Sequence, residues 1–161
     1  MSSIRIREIQ PDDNEQMAKV LRTVLVEMGV PKVGTAYADP SVDQMYEAYQ
    51  QDRAVYFVLE QDGEILGGAG VAQLDNYEGP VCELQKMYFL KEVRALGLGQ
   101  RMIEACIEKA REFQYEQMYI ETMPYMKQAQ KLYVKNGFKY IDAPMGDTGH
   151  SACPVWLLKD L

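Results

Sequence analysis

The chain is poor in the residues that build metal centres and disulfide frameworks, with one histidine and three cysteines among 161 residues. Cys82, Cys106 and Cys153 are odd in number and follow no paired spacing, so no disulfide scaffold is expected and a reducing, cytoplasmic setting is. His150 with a single cysteine nearby leaves a tetrahedral site incomplete, so no metal is expected. No apolar run reaches membrane-spanning length, and the opening MSSIRIREIQ is charged and alternating rather than an apolar leader. Internal repeats and low-complexity tracts are lacking. Two common phosphate motifs are missing as well: GxGxxG fails at Met102, and no glycine-lysine-serine or glycine-lysine-threonine run marks a P-loop.

What is present is ordinary for a globular protein, with 47% hydrophobic and 25% charged residues, and the length suits one domain over residues 1–161. The net charge of -7 argues against nucleic acid or an anionic membrane as partner and favours cationic, amine-bearing substrates through steering.

Ile4 to Ile9 alternates and predicts a strand, after which Pro11, Asp12 and Asp13 open a helix that places Met17, Val20, Leu21, Val24, Leu25 and Met28 on one face and stops at Gly29. Residues 30–40 read as a loop, and Val42, Met45, Tyr46 and Tyr49 have the spacing of a second helix. Strands over 54–59 and 65–72 flank Gln61, Asp62, Gly63 and Glu64 as an antiparallel hairpin. Gly67, Gly68 and Gly70 in its second strand signal a bulge, a close backbone approach or a cramped sheet. A strand over 81–90, a glycine turn and an amphipathic helix to Phe113 follow. Then come a strand over 115–122, a helix over 126–135, and short strands over 138–141 and 155–158. The strand, helix, strand succession implies one parallel pair.

The turn carries Arg94, Gly97 and Gly99 just before a helix with Leu98, Met102, Ile103, Cys106, Ile107, Ala110 and Phe113 on one side. Glycines there permit positive φ and remove Cβ atoms, while unpartnered first-turn N–H groups and the helix dipole favour an anion. The pattern R-x-x-G-x-G resembles the acetyl-coenzyme A loop of the GNAT N-acetyltransferases. Ala129 to Phe138 is similar to a second signature of that family, A-x-x-L-Y-x-x-x-G-F.

The resemblance implies an α/β fold with a mixed, mostly antiparallel central sheet of six to seven strands flanked by about four helices. It implies transfer of acetyl from acetyl-coenzyme A to a primary amine of a small molecule in a ternary complex. A protein amino terminus or lysine as acceptor, and a non-catalytic acyl-coenzyme A binding module, are the alternatives. Homodimers are frequent in the family. Met87, Tyr88 and Phe89 would meet the pantetheine arm, and Arg94, Ala95, Leu96, Gly97, Leu98, Gly99 and Gln100 would cradle the pyrophosphate. Lys91, Ala95 and Met126 depart from residues common at those positions.

Tyr133 is the implied proton donor to the leaving thiolate. The general base is Glu83 or Glu121, or water with no single base, and Glu121 has the further option of orienting the ammonium. His150, in the loop before the last strand, is a third candidate because histidine titrates near neutrality. With Cys153 and Asp147 it also admits a thiol-nucleophile reading. Tyr37 and Tyr46 are candidates for acceptor contact, with simple packing as the alternative. The irregular alternation in ELQKMYF suits a bulge that frees strand amides near Tyr88 and Phe89.

Overall fold

A computed structural model describes residues 3–33, 35–149 and 152–161. Seven strands form one sheet: β1 (Arg5–Glu8), β2 (Val55–Gln61), β3 (Glu64–Gln73), β4 (Val81–Phe89), β5 (Gln117–Thr122), β6 (Lys139–Ile141) and β7 (Val155–Asp160), in the order β1-β2-β3-β4-β5-β7-β6. The helices are α1 (Asn14–Glu27), α2 (Met45–Ala48), α3 (Leu98–Glu112) and α4 (Lys127–Lys135). All neighbouring strands are antiparallel except β4 and β5, the pair joined through α3. This is the mixed, mostly antiparallel α/β architecture expected.

Local chemistry explains most of these elements. Asp62 and Gly63 both take positive φ, 54° and 81°, the backbone of a two-residue turn whose twist matches the strands it joins. Helix α1 follows a single 3-10 turn over Pro11–Asp13, and Gly29 ends it at φ 71°. The second helix is shorter than its spacing predicts, because Pro40–Gln44 is a 3-10 turn and only Met45–Ala48 is α-helical. The cause is long-range: Asn14 of α1 accepts a hydrogen bond from the Tyr46 N–H at 2.8 Å, a donor a continuous helix would have used internally.

Each face of the sheet has its own core. One face receives α3 and α4, where Leu98, Met102, Ile103, Cys106 and Ala110 pack on Val55, Leu59, Val71, Cys82, Leu84, Met118 and Ile120. The other receives α1 and α2, with Met17, Leu21, Val24, Val42 and Met45 against Tyr56, Val58, Ile65 and Ala72. Alternation along β4 and β5 therefore sends Glu83, Gln85, Tyr119 and Glu121 to the α1 side.

Candidate active site

Beyond Glu83, β4 parts from β5 while staying paired to β3 through a register shift. With β5 it pairs only at Val81, Cys82 and Glu83. Against β3, Gly70 faces Gln85 but Gly68 faces Tyr88, so Lys86 and Met87 stand opposite the single residue Ala69. This is a β-bulge, and Lys86 sits in it at φ 50°. No glycine marks the position. Instead the Tyr56 hydroxyl donates to the Lys86 carbonyl at 2.7 Å, and the buried Lys86 ammonium pairs with Asp39 at 3.1 Å.

The glycines of β3 are explained by the two rings above them. A Cβ on Gly68 would lie 2.5 Å from the Tyr56 ring, and one on Gly70 would lie 2.6 Å from Tyr56 and 2.8 Å from Tyr49. Tyr49 and Tyr56 form a tilted pair with centroids 5.1 Å apart. Rings crowd the backbone at these glycines, and the register shift between Gly68 and Gly70 meets the expectation of a bulge as well.

Helix α3 opens immediately beyond this bulge. Gly97 takes φ 76° with no side-chain cap, so the first-turn N–H groups of Leu98, Gly99 and Gln100 stay available. A Cβ on Gly99 would crowd Leu132 at 3.2 Å, with Met87 and Phe89 at 3.9 Å, so this glycine lets α3, α4 and the end of β4 converge. Ala95, at φ 65°, occupies a conformation that glycine holds without strain. Arg94 donates through Nε to the Phe89 carbonyl at 2.9 Å and through Nη1 to Glu27 at 2.6 Å, while its buried Nη2 has no partner among the described residues. Gln100 and Asn136 exchange side-chain hydrogen bonds at 2.9 Å, tying α3 to the end of α4. Leu96 is exposed.

Tyr133 projects from α4, is 6% exposed and packs on Phe138 with ring centroids 6.0 Å apart. Burial pushes its phenol above the ordinary range, so it is protonated at neutral pH. Met126 caps α4 and accepts from the Thr122 hydroxyl at 3.5 Å.

The two carboxylates differ in their surroundings. Glu83 is 3% exposed and accepts one hydrogen bond, from Gln85 Nε2 at 2.7 Å. Burial pushes its carboxyl up to about 8, with the nearby Glu121 adding to the effect. Glu121 is engaged at both oxygens, by the Tyr119 hydroxyl at 2.7 Å on Oε2 and by the Thr148 hydroxyl on Oε1. Tyr119 in turn accepts from the Met145 N–H at 3.2 Å, so Glu121 holds the segment before β7 against the sheet.

Cys153 is half-buried, and burial followed by Glu121 and Glu83 pushes its thiol up to about 11, away from the thiolate a nucleophile needs. Asp147 caps a local turn by accepting from the Gly149 N–H at 3.2 Å. His150 lies outside the described residues. Tyr37 lies under Arg22 and Lys32, at 5.9 and 5.2 Å from the ring centroid, and packs beside Tyr88 and Met126. Tyr46 packs into the α1 core. Among the described residues no cluster of three or more histidine, cysteine, aspartate or glutamate side chains is arranged to hold a metal, and no helix is long and apolar enough to cross a membrane.

Sequence reasoning did not single out Tyr56, Gln85, Lys86, Asp39 or Thr148. The glycines of β3 reported a close approach without naming the rings, and the irregular alternation of ELQKMYF reported a bulge without naming Gln85 or Lys86.

A parallel pair that parts after three positions, a bulged β4 and a glycine-opened α3 are together the frame of an acyltransferase, and the sequence agrees. The Acetyltransferase (GNAT) family model matches residues 21–138, so this chain belongs to the GNAT acetyltransferase family. It is 40% identical over 157 residues to the uncharacterized N-acetyltransferase YjgM of Escherichia coli, covering 97% of this chain and 94% of that protein. A GNAT-family acetyltransferase from Staphylococcus aureus superposes with a TM-score of 0.87 at 21% identity, over 99% of both chains. The acetyltransferase YncA of Salmonella typhimurium, solved with acetyl-CoA, has a TM-score of 0.79 at 18% identity over 99% of this chain and 95% of its own. At these identities the two structures report the fold.

Proposed function

We propose that the chain transfers acetyl from acetyl-coenzyme A to a primary amine of a small, cationic molecule by direct attack in a ternary complex. The observation that carries this reading is the sequence of three features along β4 and its continuation: a buried, raised-pKa carboxyl at Glu83, the bulge at Lys86 and the open N-terminus of α3. Free α3 amides and the unpartnered Arg94 Nη2 fit a pyrophosphate, and Gly97 and Gly99 admit it. Bound acetyl-coenzyme A supplies an activated thioester.

The remaining roles belong to this chain. Strand amides in the Met87–Phe89 stretch of β4, on the edge that β5 no longer pairs, donate to the thioester carbonyl, where negative charge develops. Tyr133 keeps its proton at neutral pH and yields it to the sulfur as that atom becomes anionic. Glu83 is the base. Its second oxygen accepts no other hydrogen bond from the described residues, its pKa near 8 suits an ammonium, and its burial calls for a water between carboxylate and amine. Glu121, with both oxygens occupied, orients the loop before β7 and adds negative charge that favours a cationic acceptor. Tyr37 and Tyr46 border the acceptor side from the segment after α1.

Thermal stability with acetyl-coenzyme A, against ATP and NAD, is the direct test. A ligand at about 100 times its Kd adds roughly 2.7 kcal/mol. Selective stabilisation by acetyl-coenzyme A, followed by amine-dependent release of free thiol, is the expected result. An equal response to ATP would reduce the loop to a generic phosphate site.

A further inference from the structure

A buried chain of hydrogen bonds links α2 to Glu83. At the end of α2 the Tyr49 hydroxyl donates to Gln85 Oε1 at 2.6 Å, and Gln85 Nε2 donates to Glu83 Oε1 at 2.7 Å. Every donor in the chain points toward the carboxylate. We propose that Tyr49 and Gln85 are positioning residues that act in series: the phenol polarises and orients the Gln85 amide, and the amide holds one oxygen of Glu83 so that the other faces the acceptor.

The physical argument is cooperative. A carbonyl oxygen that accepts a hydrogen bond makes its own amide N–H a stronger donor, and a donor stabilises a carboxylate more than a neutral carboxyl. Gln85 therefore opposes the burial that keeps Glu83 protonated. Gln85 stands at the last regular position before the bulge, and Tyr49 reaches it only because Gly70 carries no side chain. The other charged or titratable groups that interact electrostatically with Glu83 are Glu121 and Tyr119 on β5, Asp75 beyond β3, Cys82, Lys86 and Tyr88 on β4, and Cys153 before β7. Glu121 and Asp75 raise its pKa and Lys86 lowers it, and none of these touches Tyr49 or Gln85 by hydrogen bond.

The catalytic meaning of this arrangement rests on Glu83 as base, but its ionisation can be read without turnover. Proteins labelled with 13C at glutamate carboxyls are titrated by NMR, with Glu83→Gln identifying the resonance. Gln85→Leu is expected to raise the Glu83 midpoint by about one pH unit, the scale of one charged hydrogen bond. Tyr49→Phe is expected to raise it by less, and the double variant no further than Gln85→Leu alone, because the phenol acts through the amide. Gln85→Met serves if the leucine variant does not fold. An unmoved midpoint in both single variants, or shifts that add in the double, overturns the proposal. The pH profile of acetyl transfer then separates the two ideas. Loss of the acid limb in Glu83→Gln supports the base, and a retained limb removes Glu83 as base while leaving the titration result intact.

Discussion

Tyr56 and Lys86 lie thirty residues apart in sequence, yet the Tyr56 hydroxyl donates a 2.7 Å hydrogen bond to the Lys86 carbonyl. At a bulge the strand has no ladder partner for that carbonyl, and the phenol replaces it. Tyr56→Phe leaves a buried acceptor unpaired and should cost about 1–3 kcal/mol of stability. With the bulge less firmly held, kcat should fall while acetyl-coenzyme A affinity changes little. Urea unfolding and calorimetry read the two effects separately.

Glu83 gives stability and rate opposite dependences on pH. In the unfolded chain its pKa is near 4.5, and in the folded protein burial raises it to about 8. The native state thus keeps a proton the unfolded chain has released, so the stabilising contribution is complete below the unfolded value and is lost as pH rises toward the folded one. Glu83→Gln should flatten this slope, gaining on the order of a few kcal/mol relative to the parent at pH 9. Over the same window kcat/KM of the parent should rise with pH, and the variant should lose that rise.

Gly68 admits no side chain. An alanine Cβ there would stand 2.5 Å from the Tyr56 ring and 2.7 Å from the Phe57 carbonyl oxygen, and the second of these cannot swing aside. Gly68→Ala should destabilise by about 1–3 kcal/mol. Since the displaced ring is the one that holds the bulge, transfer should also slow, visible as a lower thermal midpoint together with a lower kcat.

Tyr133→Phe removes a hydroxyl and little packing, because the ring keeps its contact with Phe138. Acetyl transfer should drop by roughly 100-fold, within the range of a lost general acid, with acetyl-coenzyme A binding unchanged. Equal turnover in parent and variant would reassign the tyrosine to the core.

Much of this was legible in the chain itself, for local reasons. The apolar stripe of α3, the Asp62–Gly63 turn and the glycines at 97 and 99 are short-range features whose geometry follows from residue type and spacing. What stayed hidden was set by partners far away. Asn14 shortens the second helix from across thirty-two residues, and Lys86 adopts a positive φ that its side chain does nothing to announce. ELQKMYF betrayed that a bulge was present but not where it falls, because its register is fixed by Gly68 and Gly70 on another strand. Glu83 and Glu121 looked equivalent as strand carboxylates, and only their hydrogen-bond partners, Gln85 against Tyr119 and Thr148, separate them.

The segregation of side chains across the sheet has a consequence for how such a chain diversifies. The proposed donor cradle draws on the start of α3 and on α4, whereas Glu83, Gln85, Tyr49 and the segments bordering the acceptor belong to the opposite face. On the proposed function, loops and rings on the acceptor face can change around Glu83 without touching the residues proposed to grip the coenzyme. One scaffold becomes a socket of constant shape facing an interchangeable mould.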